Sequence, residues 1–397
     1  MSLSAPLASF FRSASWRMVL RVLVKAAIIF VLLNLIFAWA YPLEALGKLS
    51  LYNLFWPGRL RLPYGEDPAK SHNLSLYNVP AMFHSHTLMQ KKREGEFRVF
   101  VVGDSSTWGW FLTNADTLTG RLNAGGYRTA DGRKMIFYNL GYPVMSLTKD
   151  LMLLDEAMQY HPDLILWPVT LESFARSRQL DHPLLQNNPQ RVRQLITEYG
   201  LDLDPHDPRF VDPTFMQRTL VGQRRGLADL LRLQSLGLAW GATGVDQFIP
   251  ENIPLRKSDL EADESWKDLK DPTSLDDQLL ALDVLTAGVA RAGDVPMLII
   301  NEPMFISNGA HSDIRYNSFY PRWAYDQYRL LLAEQAEEDG WSYLDLWDAI
   351  PPAEFTDTPV HLTPAGTQML AELLAPAVER WGDNASSFAQ DNRPQEK

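Results

Sequence analysis

The sequence predicts an α/β fold in which a parallel sheet lies between two layers of helices. Short apolar runs alternate with stretches that carry apolar residues at helical spacing, the pattern of strand–helix–strand units. Residues able to do chemistry fall just after those apolar runs, where ligands bind in open parallel sheets. At 397 residues, with 46% hydrophobic and 21% charged side chains, the chain has an ordinary globular composition and ample length for a core.

The first element is apolar from Val22 to Tyr41 apart from Lys25 and Asn34, long enough to cross a bilayer. Arg12, Arg17, Arg21 and Lys25 precede or open it, and few basic residues follow closely. By the positive-inside tendency, residues 1–41 form a cytoplasmic arm and signal anchor, and the remainder is expected outside the cell membrane. Two other readings stay open: cleavage after Ala38-Trp39-Ala40, which resembles a signal-peptidase site, and a buried core helix. Residues 42–95 read as a juxtamembrane segment, punctuated by Pro57-Gly58, Pro63 and Gly65 and closed by the charged run Lys91 to Glu96.

Residues 96–382 carry the alternation. Strands are expected at Phe97–Val102, Lys134–Asn139, Leu164–Val169, Met297–Asn301 and Ser342–Leu346. Helices are expected at Leu147–Tyr160, Leu275–Arg291, Ala324–Glu338 and Pro364–Arg380. Between about 173 and 272 the pattern breaks into a segment rich in Asp, Gln, Arg and Pro, with helical patches such as Gln217–Leu238. This mainly helical insertion is expected to form a lid or partner surface, or a domain of its own. Residues 383–397 are polar and expected to be disordered.

The net charge of −11 argues against a nucleic-acid partner, which needs a basic face. With no cysteine in the chain, disulfides and thiolate metal sites are excluded. His84-x-His86 lacks a third ligand at usable spacing and reads as structural, so no metal or other cofactor is expected.

Two segments carry chemistry. Val101-Val102-Gly103-Asp104-Ser105-Ser106 places a hydroxyl on a tight turn after the first strand, with backbone N–H groups free nearby. Asp357-Thr358-Pro359-Val360-His361-Leu362-Thr363-Pro364-Ala365-Gly366 supplies a base near the other end. Serine is a nucleophile only when a base takes its proton and donors stabilise the oxyanion, so the two belong together. The expected triad is Ser105 as nucleophile, His361 as base and acid, and Asp357 orienting the imidazole, with Asp345, Asp348 or no acid at all as the alternatives. Each has a bland reading: Ser105 as a helix N-cap, His361 as a helix-flanking structural histidine.

Gly103-Asp104-Ser105, Asn139-Leu140-Gly141 and His361-Leu362-Thr363-Pro364-Ala365-Gly366, in that order, resemble three blocks of the SGNH (GDSL-type) hydrolase superfamily. The resemblance covers roughly Phe97 to Trp381, apart from the insertion. It implies a three-layer α/β/α flavodoxin-like fold and a serine esterase or acyltransferase. It also implies an oxyanion hole built from the N–H groups of Ser105 and Gly141. Two departures stand out. The family's Gly-x-Asn-Asp block is replaced by Pro168-Val169-Thr170-Leu171-Glu172-Ser173, which lacks the asparagine donor, and Asp357 precedes His361 by four residues instead of three.

Asn301 and Thr170 are candidates for the missing donor, whereas a carboxylate at Glu172 would oppose an oxyanion. Asn301, Glu302, Arg315 and Tyr316 are candidate substrate contacts, because aromatic and hydrogen-bonding side chains suit a sugar; ordinary loop packing explains them equally well. The resemblance further implies an acyl ester, most plausibly acetyl, on an envelope or extracellular carbohydrate or another small ester. A multi-pass membrane acyltransferase is the implied partner. The alternative is a catalytically degraded binding or assembly module.

Overall fold

A computed structural model describes residues 16–55, 58–64, 77–243, 252–255, 269 and 271–391. The expected arm with Arg12, the turn residues Pro57 and Gly65, parts of the insertion and the end of the tail lie outside the described residues.

The chain enters through a 25-residue helix, α1 (Trp16–Ala40), long and apolar enough to span a membrane. Short helices α2 (Leu43–Lys48), α3 (Leu51–Phe55) and α4 (Val79–Ser85) lead to the domain, the last capped by Asn78, whose side chain accepts from the Ala81 N–H. The domain then alternates: β1 (Glu96–Gly103), α5 (Ser105–Trp108), α6 (Leu118–Gly125), β2 (Lys134–Gly141), α7 (Leu147–Ala157) and β3 (Leu164–Val169). The insertion contributes α8 (Pro183–Gln186), α9 (Pro189–Tyr199), α10 (Phe215–Arg218) and α11 (Arg224–Thr243). After it come α12 (Leu282–Ala292), β4 (Met297–Asn301), α13 (Arg322–Glu338), β5 (Ser342–Asp345) and α14 (Pro364–Asp391).

The five strands are all parallel, in the order β2-β1-β3-β4-β5. Every residue of β1, β3 and β4 is buried, because helices cover both faces and an alternating polar pattern would strand charge in a core. One face packs with Phe100, Leu151, Trp167 and Ile299. The other packs with Val101, Leu122, Leu166, Ile300 and Leu374. Since β1 has β2 on one side and β3 on the other, the strand order reverses there, and a crevice opens beyond the carboxyl ends of β1 and β3.

The sequence-predicted strands agree with the observed ones to within two residues at each end. The insertion is tied into the rest of the structure through its described residues. Its first part sends Phe174, Leu184, Val192, Leu195 and Phe210 into the main core, and its later helices reach α1 and α3. Among the described residues, none of the insertion lines the cleft beside His361. α14 runs on to Asp391, into the segment expected to be disordered.

Candidate active site

Gly103 ends β1 at φ +154°, where a Cβ would lie 2.4 Å from Thr107 Oγ1, so only glycine lets the chain turn directly into α5. Asp104 caps this one-turn helix, its carboxylate accepting from the Ser106 N–H at 2.7 Å. Ser105 therefore sits at the first helical position, where its own N–H has no intrahelical acceptor.

The loop before α14 brings the base to it. Ser105 Oγ lies 2.7 Å from His361 Nε2, and His361 Nδ1 lies 2.7 Å from Asp357 Oδ1. The extra residue between Asp357 and His361 is absorbed locally: the His361 N–H donates to Thr358 Oγ1 at 3.2 Å, and the Thr356 N–H donates to the His361 carbonyl at 2.8 Å. Burial pushes the Asp357 carboxyl up, but the hydrogen bond and charge of His361, with the Thr356 hydroxyl, outweigh it and hold the group below the ordinary carboxylate range. Trp110 stacks on the imidazole, ring centroids 6.0 Å apart at 24°. Asp345 is taken up by Arg329, at 2.7 Å and 2.9 Å, and by Asn301, so it is not the acid of this set.

The expected oxyanion donors fare less well. The Gly141 N–H donates to Asn139 Oδ1 at 3.0 Å, so it is engaged. Asn139 in turn donates to the Thr107 carbonyl at 2.8 Å, and a Cβ at position 141 would lie 2.5 Å from the Trp108 nitrogen. Asn301 is fully buried: its amide donates to Asp345 at 2.8 Å, and its carbonyl oxygen accepts from the hydroxyls of Tyr325 and Tyr328 at 3.2 Å. It does not reach the crevice. Thr170 shares a 2.9 Å hydrogen bond with Tyr320 and is likewise buried. Glu172 is turned onto Arg178 at 2.5 Å, so its charge is not aimed at Ser105.

Val144, just beyond β2, lies at φ +72°, a left-handed conformation that a β-branched residue resists.

Of the four expected substrate contacts, Asn301, Arg315 and Tyr316 are core residues. Tyr316 donates its hydroxyl to Asp326 at 2.7 Å and packs its ring edge-on to Tyr325 and Trp347; Arg315 beside it is buried. The aromatic run turns inward with its tyrosine hydroxyls partnered, Tyr320 by the buried Thr170 and Tyr316 by Asp326 at the surface. Glu302 does stand at the site: the Ser106 hydroxyl donates to its Oε2 at 2.8 Å, while Oε1 is buried without a partner. Burial, followed by the charge of Asp104, raises its carboxyl well above the usual range. His86 is structural, accepting from the Leu88 N–H, with burial holding it down at about 4.

Sequence reasoning missed a buried pair beneath the turn. Lys149, wholly inaccessible, donates to the carbonyls of Gly103, at 3.0 Å, and of Tyr142, and pairs with Asp150 at 2.8 Å. The signal was present: a Lys-Asp pair followed at once by the apolar run Leu151 to Leu154.

No family model matches the chain, and no curated protein matches it. Among solved structures, similarity extends to a carbohydrate acetylesterase family member from Sinorhizobium meliloti (14% identity, 72% of this chain and 98% of that one, TM-score 0.31). It extends also to the native aryl esterase of M. smegmatis (13%, 72% and 99%, TM-score 0.32) and a putative arylesterase from Agrobacterium tumefaciens (12%, 72% and 99%, TM-score 0.32). Likeness at this level brings no function to the chain, whose chemistry is read from its own residues.

Proposed function

We propose that this chain is a membrane-anchored, extracytoplasmic SGNH-type serine esterase or O-acyltransferase, with Ser105, His361 and Asp357 as its triad. The observation that carries the reading is the unbroken chain of contacts Ser105 Oγ–His361 Nε2–His361 Nδ1–Asp357 Oδ1, 2.7 Å at both links. With the proton on Nδ1 held by Asp357, Nε2 is free to take the serine proton as Oγ attacks an ester carbonyl. His361 then returns that proton to the leaving alcohol, which departs as the acyl–Ser105 ester forms. Water or a sugar hydroxyl attacks the acyl carbon, gives its proton to Nε2, and Ser105 recovers its own. The Ser105 N–H is the donor on hand for the oxyanion. An acetyl ester of an envelope or extracellular carbohydrate is the proposed substrate, and a multi-pass acyltransferase in the same membrane is the proposed partner for the transfer version.

A second reading, a binding or assembly module on a degraded hydrolase fold, is favoured by the engaged donors at Gly141 and Asn301. One experiment separates the two. Full-length protein in detergent is treated with a fluorophosphonate probe, and the adduct is mapped by mass spectrometry. Labelling at Ser105 that disappears in Ser105→Ala and His361→Ala supports the enzyme. A folded protein that takes no label supports the module.

A further inference from the structure

We propose that α10 and α11 of the insertion form a second membrane contact, lying in the headgroup region of an anionic bilayer beside the anchor helix. The inference rests on the anchor reading of α1 and goes beyond it.

The first observation is a depth. Asn34, the polar residue in the outer half of α1, is nearly inaccessible, and its Oδ1 accepts from the Val221 N–H at 3.1 Å while its amide donates back to the Phe30 carbonyl at 2.9 Å. An unsatisfied amide in hydrocarbon is costly, and here the loop between α10 and α11 satisfies it. Asn34 lies six residues before Ala40, so at 1.5 Å per residue this contact is about 9 Å below the outer end of α1. Ala38, one turn on from Asn34, is buried on the same helix face, and Arg218 of α10 lies over the Tyr41 ring at 5.0 Å. The insertion therefore reaches down alongside α1.

The second observation is what this part of the chain presents. Met216 is 68% and Leu231 72% exposed, with Phe215 and Val221 also exposed. In water such side chains have no reason to be displayed together beside an apolar helix; at a bilayer interface they would be covered. Gln234 of α11 holds the juxtamembrane segment to the same patch, donating to the Leu49 carbonyl at 3.0 Å and accepting from the Leu51 N–H at 2.8 Å, and α3 displays Leu54 there.

The third observation is charge. The chain carries a net −11, yet residues 214–243 hold Arg218, Arg224, Arg225 and Arg232 against the single acid Asp229. Basic residues interleaved with apolar ones suit anionic headgroups over a buried acyl boundary.

The absence of cysteine makes the test direct, because single-cysteine variants need no background changes. Full-length Ile29→Cys, Met216→Cys, Leu231→Cys and Leu330→Cys proteins, labelled with an environment-sensitive fluorophore, are reconstituted into phosphatidylcholine–phosphatidylglycerol vesicles carrying shallow or deep spin-labelled lipids. The expected result is blue-shifted emission and shallow quenching at 216 and 231, deep quenching at 29, and an aqueous signal at 330. Deep quenching at 29 with 216 and 231 as aqueous as 330 overturns the proposal while leaving the anchor intact, and assigns the patch to a protein partner or a second copy. An unquenched label at 29 overturns the anchor reading and the proposal with it. Arg224→Glu combined with Arg225→Glu is expected to move both labels toward water; an unchanged signal overturns the headgroup contact.

Discussion

Replacing Lys149 by methionine tests whether the turn from Gly103 to Ser105 is held from beneath by a buried charge. The ammonium has three donors and three partners: the Gly103 and Tyr142 carbonyls and Asp150. Gly103 O keeps a partner without it, accepting from the Tyr142 N–H at 2.9 Å, but Asp150 is left as an uncompensated buried carboxyl. Removing one member of such a pair costs about 3–5 kcal/mol, or roughly 10 °C in Tm. The pH dependence gives an independent reading. Burial first, opposed by Lys149, pushes Asp150 from 3.8 up to about 6, so the folded state binds its proton more tightly than the unfolded chain. A raised folded pKa contributes stability that is full below 3.8 and lost as pH climbs to about 6, a loss of about 3 kcal/mol for the roughly two-unit shift. Without Lys149 the carboxyl rises further, so the variant goes on losing stability above pH 6, where the wild type has levelled. Thermal unfolding from pH 5 to 8 should therefore show the two proteins diverging between pH 6 and 8. Lys149→Met with Asp150→Asn, which keeps an acceptor facing Trp167 Nε1 across 3.4 Å, should recover about 2 kcal/mol. Fluorophosphonate labelling of Ser105 should slow in the single variant, because Gly103 directly precedes the nucleophile turn. A single variant within about 1 kcal/mol of wild type across this range, or a double variant no better than the single, refutes the account.

Three further outcomes are expected. Asp357→Asn should lower the acylation rate of Ser105 by about 100–10,000-fold with little change in Tm, because it removes the orienting carboxylate from a half-exposed loop; labelling within a few-fold of wild type would remove Asp357 from the triad. Val144→Gly should raise stability by about 1 kcal/mol, since φ +72° is strained for valine and open to glycine, and a fall in Tm on calorimetry would show that the side chain earns its place. Glu302→Gln should gain stability over wild type as pH rises from 5 to 8. The wild-type carboxyl, raised in the folded state, contributes stability below its unfolded value of 4.5 and loses it as pH climbs, whereas glutamine does not titrate; parallel Tm curves would contradict this.

The inner strands β3 and β4 were legible because both faces of the sheet are covered there, so each is a nearly plain apolar run with little alternation to confuse it. Ser105 and His361 stand in local blocks that the sequence displays, whereas the four-residue step from Asp357 is spanned with the help of the Thr358 hydroxyl and the Thr356 N–H, which no spacing rule contains. Asn301 was misread for a reason of direction. It ends a strand at the crevice, but its side chain enters the helical layer, where two tyrosine hydroxyls and Asp345 saturate it. Arg315 and Tyr316 went the same way. Which side a terminal strand residue faces depends on partners far along the chain, and a local pattern carries no trace of them. Lys149 was passed over for the opposite reason: a lysine inside a helix ordinarily snorkels to solvent, and its burial is made tolerable by the carbonyls of Gly103 and Tyr142 and the carboxylate of Asp150.

The charge around Ser105 sharpens what limits the proposed chemistry. Asp104 acts on Glu302, Glu172 and Asp150, and Asp150 acts on Glu302 as well, so the carboxylates gathered here would oppose an oxyanion. Each is answered locally. Asp104 accepts from the Ser106 N–H, Asp150 pairs with Lys149, Glu172 pairs with Arg178, and Glu302 is driven toward its neutral form. What remains short is donors. With Gly141 bonded to Asn139 and Asn301 turned into the core, the Ser105 N–H stands in place of the usual set, and each missing donor costs about 100–1,000-fold in rate. Activity on simple esters is therefore expected to be slow even with an intact triad. A substrate that fills the crevice and draws the Gly141 N–H away from Asn139 would restore a second donor, so the rate should depend more steeply on the acceptor and acyl ester than on the base.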